Sequence, residues 1–85
     1  MARSLTFHGA HGATDFLGMR LSRRGETEIV YDDGVTRRMV WRVEGPVAAE
    51  TIGDALRAAV AQRRVLPALH AELRKRAIAI EAVAR

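Results

Sequence analysis

Thr27-Glu28-Ile29-Val30-Tyr31-Asp32-Asp33-Gly34-Val35-Thr36-Arg37-Arg38-Met39-Val40-Trp41-Arg42-Val43 is the stretch that decides the fold. β-Branched and aromatic residues recur on both sides of its centre and suit a pleated, half-buried surface. Asp33-Gly34 stands between the two halves. Both residue types tolerate positive φ, so the pair reads as a hairpin turn. The second half alternates with a period of two. Val35, Arg37, Met39, Trp41 and Val43 share one face, and Thr36, Arg38, Val40 and Arg42 share the other. The first face is expected on the core. Arg37 interrupts it and is therefore placed near a sheet end, where its head reaches water.

Working outward, Ser4-Leu5-Thr6-Phe7-His8 and Phe16-Leu17-Gly18-Met19-Arg20-Leu21 add two strands on the N-terminal side. Leu5 and Phe7 face inward. Leu17, Met19 and Leu21 take one face of the second strand, and Phe16, Gly18 and Arg20 the other. Ser22-Arg23-Arg24-Gly25 is a polar turn. Beyond Val43, Glu44-Gly45-Pro46 ends the sheet, with Gly45 as a candidate cap and Pro46 as a helix opener. The predicted helix 46–64 carries Ile52, Ala55, Leu56, Ala59 and Val60 as an amphipathic stripe. A later start is the alternative, with Thr51 as cap and Asp54 at its third position. Gly53 inside the helix costs about 1 kcal/mol against alanine and is expected to let another backbone approach. Residues before proline avoid the α conformation, so Leu66 lies outside and Pro67 opens a second helix, 67–84. Its stripe is Leu69, Leu73, Ala77 and Ile80, widened by Ile78, Ala82 and Val83. The short connection implies an antiparallel helical hairpin. The order ββββαα predicts a single α+β domain over 1–85, with a four-stranded antiparallel meander in 1–44 and the helical hairpin in 45–85.

Composition narrows the classes of function. The 85 residues are 48% hydrophobic and 28% charged, the balance of a globular chain rather than a disordered one. Cysteine is absent, which excludes disulfides and thiolate metal sites within the chain. No apolar run approaches the about 18 residues of a membrane span, and a cytoplasmic location is expected. The net charge is +4, and of the 14 basic residues only Lys75 is lysine. A GC-rich genome would favour arginine, alanine, glycine and valine together. Guanidinium groups also grip phosphate or carboxylate through two parallel hydrogen bonds, which ammonium cannot do.

Two constellations could carry chemistry. His8-Gly9-Ala10-His11-Gly12-Ala13-Thr14-Asp15 gathers two imidazoles and a carboxylate in one connection. His8, His11 and Asp15 could ligate a metal for hydrolysis. A further pair of ligands is not close by, and His70 stands on a distant helix. The alternative is a Gly-Ala turn between two strands. Leu5-Thr6-Phe7-His8-Gly9-Ala10-His11-Gly12, with Ile29-Val30-Tyr31-Asp32-Asp33-Gly34, resembles the opening strands of metallo-β-lactamase-fold hydrolases of the RNA-processing branch over about 30 residues. The metal-binding histidine and aspartate motif that follows in that family has no counterpart here, so no residue role is carried over.

The second constellation is the arginines. Arg38 and Arg42 share the outward face of the fourth strand, with Arg20 beside them on the second. Arg63 and Arg64 mark the helical connection, and Arg74, Lys75 and Arg76 form a basic run. These eight residues are the expected surface for nucleic acid or an acidic protein, and a solvated charged face is the alternative. Trp41 and Phe7 belong to the core, leaving no aromatic stacking platform expected on the outer face. Ala48, Ala49, Ala55, Ala58, Ala59 and Ala61 keep the first helix smooth, which suits either packing on the sheet or a homodimer through helices 46–64 and 67–84. The expectation is a small basic binding or regulatory protein, not an enzyme, with no cofactor. Its size and composition suit an accessory or inhibitor protein of a phage or mobile element.

Overall fold

A computed structural model describes residues 5–8, 16–34 and 37–83. Strands β1 (Leu5–His8), β2 (Phe16–Leu21), β3 (Thr27–Asp32) and β4 (Arg38–Val43) form the expected antiparallel meander. Helices α1 (Ala49–Val60) and α2 (Val65–Lys75) follow, and a short strand β5 (Ile80–Ala82) then pairs antiparallel with β4. The result is an α+β fold whose sheet runs in chain order, β1-β2-β3-β4-β5.

The period-two alternation sorts the sheet into two faces. Leu17, Met19, Ile29, Trp41 and Val43 meet Ile52, Ala55, Leu56, Ala59, Leu69 and Leu73 in one buried cluster. Both helices therefore lie on that face. The α1 stripe is buried as its spacing predicts, and Ala55 and Ala59 are fully enclosed in the core. Gly18 in β2 allows β1 to close on the sheet, because a Cβ there would run into the carbonyl oxygen of Leu5. Gly53 admits a side chain rather than a backbone: its missing Cβ faces Leu5 Cδ1 at 3.2 Å.

Several boundaries depart from the sequence pattern, among them the end of the first helix, which stops at Val60 rather than 64 and leaves Arg63 and Arg64 in the connection. The fourth strand starts at Arg38, and Arg37 precedes it; Val35 and Thr36, which the alternation also assigned to this strand, lie outside the described residues. Asp32 Oδ1 accepts the Gly34 N–H at 2.7 Å, and Asp33 Oδ1 accepts the Arg37 N–H at 3.0 Å. These side chains hold the connection as a longer loop in competition with the strand ladder. Arg37 thus lies in the loop and is exposed. The first helix starts at Ala49, and neither Gly45 nor Thr51 caps it. Ala48 stands at the cap with no side-chain hydrogen bond. The second helix begins at Val65, so Leu66 is helical and Pro67 falls in the first turn, where its missing N–H has no partner to lose.

The second helix also ends at Lys75, nine residues short of the predicted 84, so 45–85 is not helical throughout. Ala77 adopts φ 57°. The Ile78 N–H reaches the Leu73 carbonyl at 2.9 Å and the Ala77 N–H the Arg74 carbonyl at 3.0 Å. That pair of bonds is a Schellman cap, and the accompanying apolar contact is supplied by Leu73 and Ile78, both buried. The chain then turns back, and Ile80 pairs with Val43 and Ala82 with Trp41.

Contacts fix the direction of α1. Gly53 lies against Leu5, and the Arg57 guanidinium sits over the Phe7 ring at 5.5 Å. Four helical residues rise about 6 Å and two strand residues about 6.6 Å, so α1 runs alongside β1 in the same direction. The His8 end of β1, the Phe16 start of β2, the Asp32 end of β3, the Arg38 start of β4 and the 61–64 connection consequently share one end of the fold. This is the Arg38 end. The connections 22–26, 44–48 and 76–79 fall at the other, the Arg23 end.

Candidate nucleic-acid interface

Cross-strand register decides what each arginine can do. On the open face of the sheet, Arg20 stands opposite Glu28, Glu28 opposite Arg42, and Arg42 opposite Glu81. Alternating charge is the favourable order for directly opposed side chains. Arg20 Nε donates to Glu28 Oε1 at 3.0 Å. Arg42 pairs with Glu81 and, at 3.6 Å, with Glu26. Arg20 and Arg42 do lie on the outward face, but each already has a carboxylate partner.

The basic run at the end of α2 is similarly committed. Glu72 accepts from Arg76 Nη1 at 2.6 Å and from Lys75 Nζ at 3.3 Å. Arg76 Nη1 also donates to the Glu72 carbonyl at 3.1 Å. The Arg76 hydrogen bond, aided by Lys75 and opposed by partial burial, holds the Glu72 carboxyl below the usual glutamate range. Of this run, Arg74 alone has no ion-pair partner among the described residues.

Arg38, Arg63 and Arg64 complete the expected set. All three are exposed, and none is ion-paired among the described residues. The topology brings them to the Arg38 end together with Arg37, which alternation had assigned to a core face. The aspartates nearby, Asp32 and Asp33, accept backbone N–H groups of the loop. Arg23 and Arg24 are exposed and have no ion-pair partner among the described residues; they lie at the opposite end, which also carries Arg74 and the exposed carboxylates Glu44 and Glu50. The eight arginine and lysine positions are therefore not one patch. They divide into a neutralised ladder, a free group at the Arg38 end, and a mixed-charge end.

Phe16 is the aromatic that the outer face was expected to lack. It is half-buried on the open face, between His8 and Asp32 in the register. Its phase was legible, because it is opposite to buried Leu17. Trp41 is buried in the core, and the exposed His70 meets its ring edge-on at 5.8 Å. His8 is exposed at the end of β1, whereas His11 and Asp15 lie outside the described residues. No group of three or more histidine, aspartate or glutamate side chains among the described residues could hold a metal ion. No helix among the described residues is long and apolar enough to cross a membrane. Comparison with protein families, curated proteins and solved structures finds no match for this chain.

Proposed function

We propose that this chain is a non-enzymatic nucleic-acid-binding protein that grips the phosphate backbone with the arginines of its Arg38 end. The supporting observation is that Arg37, Arg38, Arg63 and Arg64 are exposed at one end of the fold and have no ion-pair partner among the described residues. Unpaired guanidinium groups give up no internal ion pair on meeting phosphate, whereas Arg20 and Arg42 would have to leave glutamates.

Nucleic acid is favoured over an acidic protein surface by what surrounds these arginines. Protein interfaces centre on buried apolar or aromatic anchors. The large hydrophobic side chains exposed among the described residues are Leu5 and Leu21, at 37% each, and neither belongs to the Arg38-end loops. Phosphate contacts need no such anchor and are made mainly by arginine, lysine and polar groups.

Fluorescence anisotropy with labelled DNA and RNA at low salt tests this reading. Binding is expected, and Arg63→Ala with Arg64→Ala should weaken it at least tenfold, while Arg20→Ala with Arg42→Ala changes it much less. Undetectable binding of both polymers at low salt would exclude nucleic acid as the partner.

A further inference from the structure

Three rows of side chains cross the open face of the sheet. His8, Phe16, Asp32 and Arg38 form one row, and Arg20, Glu28, Arg42 and Glu81 form another. Between them lie Thr6, Gly18, Val30 and Val40, all short. The middle row is the floor of a trough, and the longer side chains are its banks. The floor is tightly packed: Val30 is 5% and Val40 4% exposed. One hollow in the trough, of about 200 Å³, is lined by Thr6, Phe16, Gly18, Val30 and Arg38 among others. A second, of about 190 Å³, is lined by Arg38, Val40 and Val83 among others. Arg38 borders both.

We infer that the nucleic acid is single-stranded, and that an unpaired base enters the hollow against Phe16 while Arg38 holds the adjoining phosphate. This rests on the reading of the Arg38 end as a phosphate-binding surface. The hollow is smaller than the about 300–1,000 Å³ of sites for drug-sized ligands, which suits one aromatic ring system. Its floor of Gly18 and Val30 presents no charge and accepts a flat apolar face. Phe16 supplies a ring on which any base can stack. Both banks carry as many carboxylates as guanidinium groups, and they differ in how these are engaged: Asp32 Oδ1 accepts the Gly34 N–H and makes no ion pair with Arg38, whereas the arginines of the opposite bank pair with glutamates. Arg38 has no ion-pair partner among the described residues, and the opposite bank is an internally neutral run of alternating arginine and glutamate. A second phosphate strand has no free cation on that bank, so the trough favours one strand over a duplex.

Anisotropy with a labelled thymidine oligonucleotide of about 12 residues, a length within the range tracked by single-strand-binding grooves, compared with the same length of duplex, is the test. The single strand should bind at least tenfold more tightly. Phe16→Leu keeps an apolar side chain but removes the ring. It should weaken single-strand binding by about 5- to 150-fold, the range for one lost base–aromatic stack, and leave duplex binding unchanged. Phe16→Tyr should retain binding. Ultraviolet cross-linking of the wild-type protein to the oligonucleotide, followed by peptide mapping, avoids any variant that fails to fold and should mark the peptide containing Phe16. Equal affinity for both forms, with Phe16→Leu inert and the cross-link elsewhere, would overturn the inference. If Arg63→Ala with Arg64→Ala still weakened binding, the phosphate reading would survive. No binding of either form would remove both.

Discussion

Gly18 and Ala77 occupy backbone positions where one methyl group decides stability, in opposite directions. A Cβ at Gly18 collides with the Leu5 carbonyl oxygen, a backbone atom that no rotamer change can move. Gly18→Ala should therefore destabilise the fold by about 1–3 kcal/mol, the range for overpacking, as read from urea unfolding. Ala77 holds the left-handed conformation at φ 57°, which glycine adopts without strain. Ala77→Gly should stabilise by about 1 kcal/mol and raise the melting temperature by about 4–8 °C. A fall in melting temperature would mean that the cap is not as described. Glu72 carries the pH-dependent contribution. Its carboxyl is held below the usual range by Arg76, so the folded state binds this proton less readily than the unfolded chain. The stability it contributes is complete above the unfolded value, near about 4.3, and is lost as pH falls through the lower folded value. Glu72→Gln should be less stable than the wild type at neutral pH, and the gap should close in acid. A gap of constant size across pH 3–7 (about the carboxylate range) would exclude this origin.

At the scale of elements, alternation and turn chemistry made the meander readable, because one buried face forces a period of two. The α1 stripe was readable for the same reason at period 3.6. The ends were not. Ala77 stops α2, yet alanine is the strongest helix former, so nothing local marks the left-handed position. Ile78, Ile80 and Val83 fit a widened helical stripe as well as a strand, and pairing with β4 decides between them. Arg37 was misplaced because Asp32 and Asp33 lengthen the loop through side-chain bonds that alternation does not record. For the candidate site, outward placement of Arg20, Arg38 and Arg42 was legible, but their differing availability was not. Glu28 and Glu81 are distant in sequence from Arg42 and become its neighbours only through register. Arg42→Ala removes contacts to Glu26 and Glu81 and leaves like charges near one another. It should cost about 1 kcal/mol or less in thermal unfolding, as exposed pairs do. It should affect nucleic-acid binding far less than Arg63→Ala with Arg64→Ala.

Across the whole molecule, the +4 charge is less informative than its distribution. Ion pairs neutralise Arg20, Arg42, Arg57, Lys75 and Arg76, and the exposed arginines of the Arg38 end have no ion-pair partner among the described residues. The sheet order and the direction of α1 bring residues 37–38 and 63–64 to that end, although the two pairs come from different layers. If these four guanidinium groups hold phosphates, each should displace a counterion on binding. The measurement that addresses this most directly is the salt dependence of the dissociation constant. The slope of log affinity against log salt should lie between about −2.8 and −3.6 for four contacts, at −0.7 to −0.9 per phosphate. Arg63→Ala with Arg64→Ala should reduce that slope by about half, and Arg20→Ala with Arg42→Ala should leave it nearly unchanged. A slope near zero, or an equal loss in both double variants, would contradict the assignment of phosphate binding to the Arg38 end.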